Sequence, residues 1–208
     1  MIGLFLYALG IVVTIRAGIG YAPWDVLHTG ISANTGFSLG IVSIGIGFLI
    51  IIFLLILRER LGLGTILNML LIGIFIDIIM TADIIPAPEH VAAGAVMLVT
   101  GLFIISFGSY FYIRSAFGIG PRDNLMVVLA RKTKFPVGLC RGLIELLVTA
   151  TGWFLGGMVG LGTVVFVIGI GFCIQTVFRL FRFDVTSIRH ETLNDTFAAV
   201  KRVISRRP

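Results

Sequence analysis

Long apolar runs alternate with short polar interruptions along most of this chain. Six of the runs approach the roughly 20 residues that an α-helix needs to cross the hydrocarbon core of a bilayer. Glycine, proline or charged residues end the runs, as they end helices. The pattern therefore predicts six membrane-spanning helices, at about residues 2–15, 39–57, 63–82, 91–113, 138–156 and 161–180.

Two shorter apolar segments, at about residues 24–33 and 122–130, lie between these spans. Each has around ten residues, which as a helix would extend roughly 15 Å, or half the hydrocarbon core. They follow the motifs "GIGYAPWDVL" and "AFGIGPRDNL". Proline is favoured in the first turn of a helix, and an acidic residue there suits the helix dipole. We therefore predict a short helix after each proline, either re-entrant and buried or lying at the membrane interface.

The composition agrees with a polytopic membrane protein. Mean hydropathy is +1.09, and 12% of residues are charged, against about 25% in soluble domains. The net charge of +6 does not indicate nucleic-acid binding, because the basic residues concentrate in a few loops and the tail. Cys140 and Cys173 are far apart in the chain, so neither a metal site nor a redox motif is indicated.

Lysine and arginine predict the orientation, because cytoplasmic loops carry an excess of both. With six spans, the loops after the second and fourth spans share one side with the C-terminal tail. That side holds fourteen basic residues, and the opposite side holds Arg16 alone. Both termini are therefore predicted to be cytoplasmic. The fourteen are Arg58, Arg60, Arg114, Arg122, Arg131, Lys132, Lys134, Arg179, Arg182, Arg189, Lys201, Arg202, Arg206 and Arg207.

The chain also repeats itself. Shifted by 98 residues without a gap, the second half matches the first at turns and helix ends as well as at apolar positions. A match at a fixed period indicates an internal structural repeat. The matched pairs include Arg16 and Arg114, Gly20 and Gly118, Pro23 and Pro121, Asp25 and Asp123, Gly40 and Gly138, Gly73 and Gly171, and the "GLGT" segments at 62–65 and 160–163.

Each repeat contains three spans, an odd number, so the second copy should cross the membrane in the opposite sense. The predicted fold is all-α, with six transmembrane helices in two inverted-topology three-helix repeats, each with an additional short helix. The counterpart of residue 91 would precede Met1, so we expect the natural chain to begin earlier or its first helix to begin frayed. The predicted units are a first repeat at 1–82, a connector with the start of the fourth span at 83–98, a second repeat at 99–180 and a basic tail at 181–208.

Ionisable side chains inside spans are costly, so each is a candidate functional residue. Asp77 lies in the third span. Arg141 and Glu145 lie in the fifth, where a spacing of four places them on one helix face. The structural alternatives are an Asp77 that reaches water at the external end, and an ion pair in which Arg141 extends toward the headgroups. His28, one turn after Asp25, is either a proton relay or incidental.

Small residues predict close helix contacts rather than chemistry. Gly40, Ser43 and Gly47 form such a stripe on the second span, and Gly152 and Gly156 form one on the fifth. We assign the threonines of the "GLGT" segments to capping or to bonds with backbone carbonyls, with substrate binding as the alternative. The tail at 192–205 has an apolar face flanked by basic residues, which predicts an amphipathic helix on the cytoplasmic leaflet or a partner-docking segment.

The runs "AGIGYAPWDVLHTGIS", "TGFSLG" and "LGLGTILNMLLIGIFID" resemble the YczE/YitT-type group of bacterial integral membrane proteins. The resemblance covers roughly residues 1–180 and is closer to the YczE branch, because no large soluble C-terminal domain follows. It implies a bacterial plasma-membrane protein with several spans and carries over neither a substrate nor a catalytic residue. In the second repeat Arg122 replaces the tryptophan of "PWD", so any role of Trp24 is not duplicated.

These observations favour a small-solute transporter or channel, with its site where the two short helices approach each other. The alternative is a non-transporting accessory or scaffold protein that stabilises a partner. An enzyme is not expected, since no Ser/His, Cys/His or metal constellation is present. The expected partners are the bilayer, an unidentified small solute and a second copy in a homodimer, without a cofactor or nucleic acid. The candidate site residues are Pro23, Trp24, Asp25, Asp77, Pro121, Arg122, Asp123, Arg141 and Glu145.

Overall fold

A computed structural model describes residues 1–59 and 61–183. These residues form eight α-helices and no β-strand. The predicted tail helix lies outside the described residues. In chain order the helices are α1 (Ile2–Arg16), α2 (Pro23–Thr35), α3 (Leu39–Ile56), α4 (Leu63–Ala82), α5 (Val91–Arg114), α6 (Pro121–Thr133), α7 (Val137–Phe154) and α8 (Leu161–Leu180).

The all-α prediction is confirmed for this part of the chain, and each apolar segment found in the sequence corresponds to one helix. Five helices, α3, α4, α5, α7 and α8, are long and apolar enough to cross a membrane. α1 is apolar but has only 15 residues. These five helices make the protein a multi-pass membrane protein. That α1 forms a sixth span stays a prediction.

α1 and α5 pack against each other through glycines. A Cβ added at Gly3 would lie 2.9 Å from the carbonyl oxygen of Gly108. One added at Gly10 would lie 2.9 Å from the carbonyl oxygen of Gly101. Because the early glycine of α1 meets the late glycine of α5, the two helices run antiparallel. Small residues at these four positions allow the backbones to approach closely, as in other membrane helix pairs.

The main hydrophobic core surrounds this central pair. α4 packs against α1 and α8 packs against α5, so the four helices form a connected series. A second, smaller core joins α3 to α6. The buried residues of the main core are Leu4, Ala8, Ile11, Val12, Ile15, Ile72, Ile76, Ile79, Leu102, Ile105, Ile170 and Cys173, and those of the smaller core are Ile50, Ile51, Leu54, Leu61 and Val128.

The helices follow the 98-residue shift found in the sequence. α2, α3 and α4 begin and end 98 residues before α6, α7 and α8, and α1 ends 98 residues before α5. The turns follow it too, and each contacts the other half. The Gly162 amide donates to the Ile19 carbonyl at 2.8 Å, and the Gly64 amide donates to the Phe117 carbonyl at 2.7 Å. Donors and acceptors of these two bonds are counterparts in the repeat, so the contacts are equivalent.

The threonines of the "GLGT" segments bond to backbone groups. Thr65 donates its hydroxyl to the Ile119 carbonyl at 2.7 Å, across the two halves. Thr163 accepts a bond from the Gly160 amide at 3.2 Å, at the start of its own helix. Both contacts agree with the capping and carbonyl roles expected from the sequence.

Contacts between loops join segments that the predicted topology places on the same side. Arg16 forms a salt bridge with Asp83, and both lie in segments predicted to be external. Arg131 forms a salt bridge with Glu59, and both lie in segments predicted to be cytoplasmic. Within the described residues, one pair therefore joins loops at one end of the helix bundle, and the other pair joins loops at the opposite end.

The short helices α2 and α6 begin inside the molecule and end at its surface. Pro23 and Asp25 are buried in the first turn of α2, whereas residues 33–35 at its end are exposed. Pro121 is buried at the start of α6, and residues 131–134 at its end are exposed. This burial agrees with the re-entrant or buried interpretation of the two segments. Gly152 of α7 contacts the backbone of α2: a Cβ added there would lie 2.4 Å from the Leu27 amide nitrogen.

Candidate functional site

A cavity of about 210 Å³ lies between the two halves of the chain, and all eight helices contribute to its wall. The first turns of α2 and α6 both line it, with Pro23 and Pro121 at corresponding positions. The repeat therefore places the two proline–aspartate motifs at one site. The polar side chains of the wall are Tyr7, Trp24, Asp25, Ser43, Asn68, Ser109, Tyr112, Arg122, Asp123, Arg141 and Glu145.

The cavity brings together most of the residues predicted from the sequence to form a site. Asp77 does not line it. The carboxylate of Asp77 accepts hydrogen bonds from the Ser38 hydroxyl at 2.5 Å and from the Gly40 amide at 2.7 Å. Asp77 thus ties the N-terminus of α3 to α4. The candidates that line the cavity are Pro23, Trp24, Asp25, Pro121, Arg122, Asp123, Arg141 and Glu145.

Arg122 is the centre of a polar cluster that joins the two halves. Its Nη2 donates to the Ser43 hydroxyl of α3 at 3.1 Å and lies 3.1 Å from Nε2 of His28. Its guanidinium carbon lies 5.0 Å from the centre of the Trp24 ring, within cation–π range. Trp24 is the counterpart of Arg122 in the repeat, so the two corresponding positions contact each other.

The contact with Arg122 defines the protonation of His28. An arginine guanidinium has no acceptor, so Nε2 of His28 must be the unprotonated acceptor and the imidazole is neutral. The remaining proton is then on Nδ1, which lies 3.4 Å from Oδ1 of Asp25. His28 and Asp25 are 2% and 3% exposed. His28 therefore connects a buried carboxylate to a partly buried guanidinium through the two sides of its ring.

The second half supplies two further polar contacts in the cavity wall. Tyr112 donates its hydroxyl to Oδ2 of Asp123 at 2.9 Å. Nε of Arg141 donates to Oε1 of Glu145 at 2.8 Å, which confirms that these two side chains share a helix face. Arg141 and Glu145 neutralise each other. Neither Arg122 nor Asp123 forms a salt bridge within the described residues.

The indole of Trp24 leaves a donor without a partner. Its Nε1 is buried and has no hydrogen-bond acceptor among the described residues. A buried donor without an acceptor costs roughly 1–3 kcal/mol. The indole lines the cavity, but Nε1 itself is buried, so an acceptor atom of a solute would remove this cost only by reaching that atom.

Sequence reasoning did not identify several polar wall residues. Tyr7, Tyr112 and Asn68 lie in long apolar runs, where a single polar residue with an apolar body carries little signal. Ser43 was assigned to helix packing, yet it also accepts a bond from Arg122. The sequence did offer one signal for Ser43: its counterpart in the repeat is Arg141, which was already a candidate site residue. Both residues line the cavity.

The fold and the cavity define a class: a multi-pass helical membrane protein with a polar cavity between two related halves. The chain belongs to a family of unknown function, DUF6198, whose profile matches residues 1–179. It is 35% identical over 179 residues to an uncharacterized protein of Haemophilus influenzae, covering 84% of this chain and 81% of the relative. It is also 35% identical over 164 residues to the uncharacterized membrane protein YczE of Bacillus subtilis, covering 78% and 75% respectively.

A more distant relative is the uncharacterized protein YyaS of Bacillus subtilis, 26% identical over 164 residues, with 78% of this chain and 82% of the relative covered. No solved structure matches the chain. The resemblance to YczE-like membrane proteins expected from the sequence is therefore confirmed.

Proposed function

We propose that the protein is a transporter, which carries a small charged solute through the cavity between two inverted repeats. The observation that supports this most is the convergence of ionisable side chains from both halves on one cavity. Ionisable groups among membrane helices are costly and are retained mainly on pathways for ions or substrates. A scaffold protein would have no use for such a cavity.

The inverted arrangement is supported by the directions of corresponding helices. α1 and α5 end 98 residues apart and run antiparallel, as the glycine contacts between them require. Corresponding helices that run in opposite directions are the mark of an inverted repeat. The excess of basic residues at one end supports cytoplasmic termini, and the relatedness to a bacterial membrane protein supports a bacterial plasma-membrane location.

The charges of the cavity favour a solute with one positive and one negative group. Arg122 offers a guanidinium and Asp123 a carboxylate, and neither forms a salt bridge among the described residues. Asp25 is a second carboxylate of the wall, which the neutral His28 connects to Arg122. The free Nε1 donor of Trp24 lies beside the guanidinium. A carboxylate of the solute would bind Arg122 and Trp24, and an ammonium group would bind Asp123, because opposite charges attract each other.

Three probes with the same three-carbon chain and different charges test this assignment: β-alanine, propionate and propylamine. The expected result is that β-alanine raises the melting temperature of the purified protein most, and that proteoliposomes accumulate it. Asp25→Asn and Asp123→Asn should impair uptake without preventing membrane insertion. Glu89→Gln, which changes an exposed carboxylate outside the cavity, is the matched control and should keep full uptake.

Full uptake by both aspartate variants would show that the site assignment is wrong. Stabilisation by propionate or propylamine alone would replace the zwitterion with an anion or a cation. Deleting residues 184–208 separates transport from the scaffold alternative. A transporter should largely keep its flux after this deletion, whereas a scaffold that docks through its tail should lose its role.

A further inference from the structure

Each half of the chain has a glycine pair at corresponding positions, but the two pairs differ in their packing. Gly40 of α3 and Gly73 of α4 are buried against each other, and a Cβ added at Gly40 would lie 2.0 Å from the Gly73 carbonyl oxygen. Their counterparts, Gly138 of α7 and Gly171 of α8, are exposed and have nothing within 4 Å of an added Cβ. α3 therefore packs on α4, whereas α7 and α8 form no comparable interface.

Other corresponding residues near these glycines also differ, with the residue of the first half in contact with its neighbours and that of the second half exposed. Asp77 of α4 accepts two hydrogen bonds from the start of α3. Gln175, its counterpart on α8, is exposed, and its side chain has no hydrogen bond within the described residues. At the short helices, Asp25 is buried and Asp123 is exposed. The first half is closed around the cavity, and the second half is open.

The cavity extends into this opening. Ile174 and Phe178, in the C-terminal part of α8, line its wall. Their counterparts on α4, Ile76 and Met80, do not line it. The opening between α7 and α8 thus lies toward the end of α8, next to the basic loop between α6 and α7. In the proposed topology this is the cytoplasmic side.

We propose that the described structure is the inward-facing member of two alternating conformations, and that the other arises when the two halves exchange their packing. In the second conformation α7 closes on α8 through Gly138 and Gly171, while α3 separates from α4 at Gly40 and Gly73. The cavity then opens to the outside. This inference rests on the proposed transport, since inverted repeats expose a fixed site alternately when each repeat adopts the arrangement of the other.

A cysteine at position 44 reports the separation of α3 from α4. Ile44 is in contact with Gly73, because its Cγ1 lies 2.5 Å from a Cβ added there. The variant Ile44→Cys is prepared with Cys140→Ala and Cys173→Ala, so that it carries a single thiol. A water-soluble maleimide labels this thiol when the α3–α4 contact opens. The expected result is steady labelling of the protein in proteoliposomes without any added solute.

A leucine at Gly171 should then block the exchange. The side chain fits the present structure, where the site is open, and fills the space that α7 needs for closure. The variant Gly171→Leu should reduce the labelling rate at position 44 by about tenfold or more, the scale at which a minor conformation is removed. Gly138→Leu is an independent variant with the same expected effect.

Gly142→Ile is the matched control. It adds a side chain of similar size to the open side of α7, but its counterpart in the closed half is Ile44, so an isoleucine fits both conformations. The labelling rate at position 44 should be unchanged. Elution volume and melting temperature of each variant report whether it is folded.

Unchanged labelling in both leucine variants would overturn the proposal, and so would a complete lack of labelling at position 44. Two leucine variants that fail to fold would also overturn it, because Gly138 and Gly171 would then be in contact in the native protein. Labelling needs no solute and no flux. If the leucine variants suppress labelling but no solute is transported, the second conformation is supported and the transport proposal is wrong. If solute is transported but labelling does not respond to the leucine variants, the transport proposal is supported and the second conformation is wrong.

Discussion

Arg122 and Trp24 are corresponding residues of the two repeats, and the contact between them gives the cavity its polar character. The guanidinium covers the indole ring, while its Nη2 faces His28 and Ser43. The indole contributes a flat apolar surface and a donor that has no partner. The two roles are separable, because phenylalanine keeps the ring face and removes the N–H group.

Trp24→Phe should weaken solute binding without unfolding the protein. We expect the free energy of unfolding to stay within about 1 kcal/mol, because the smaller ring loses contacts but also removes an unpaired buried donor. Affinity for the bound probe should fall roughly tenfold or more, the value of one hydrogen bond to a charged group. Thermal melting with and without the probe measures both quantities.

Trp153→Phe is the control for this substitution, since Trp153 is 62% exposed and does not line the cavity. It should change neither quantity. Equal probe affinity in Trp24→Phe and the unchanged protein would mean that the Nε1 donor does not contact the solute.

At the level of helices, the start of α3 is bound to α4 by one carboxylate. Asp77 accepts from the Ser38 hydroxyl and the Gly40 amide, and Ser38 also caps α3 by accepting from the Ile41 amide at 3.2 Å. α7 begins with Pro136 in place of Ser38, so this capping is particular to the first half.

Asp77→Ala should destabilise the protein by about 1–2 kcal/mol, because two hydrogen bonds to a charged group at a helix end are lost. The measurement is unfolding in mixed detergent micelles with increasing dodecyl sulfate. Gln175→Ala removes the corresponding side chain of α8 and should change stability by less than about 0.5 kcal/mol, as surface substitutions do. Equal effects of the two substitutions would contradict the capping role of Asp77.

At the scale of the whole molecule, the contacts between loops of residues 1–59 and 61–183 are compatible with a single orientation in the membrane. The salt bridges Arg16–Asp83 and Arg131–Glu59 join the loops at opposite ends of the bundle. The turn contacts Gly162–Ile19 and Gly64–Phe117 divide in the same way. The excess of basic residues predicts that the end that carries Arg131 is cytoplasmic.

Single cysteines test this orientation in intact cells. In a protein without Cys140 and Cys173, Ala87→Cys lies in the exposed connector after α4 and should react with a membrane-impermeant maleimide. Lys132→Cys lies at the exposed end of α6 and should react only after the cells are opened. The opposite result would reverse the topology, and labelling of both positions in intact cells would exclude the six-span arrangement.

The sequence predicted local features well and long-range contacts poorly. The starts of α2 and α6 were predictable within one residue, because proline favours a first helical turn and the repeat gave two independent instances. The partners of Arg122 were not predictable, since they lie 94 and 79 residues away on other helices. Asp77 illustrates the same limit: its place within the span was evident, but its contact with α3 depends on how the helices pack.

The meeting of positions 24 and 122 also bears on ancestry. A position that contacts its own counterpart must hold the same residue twice if the two halves are separate identical chains. Two arginines there would repel each other, and two tryptophans would supply no charge. Two non-identical halves, such as those of a single fused chain, allow that position to hold tryptophan on one side and arginine on the other. The distinction between the two faces of the cavity is therefore available to the fused chain and to no symmetric dimer of half-length ancestors.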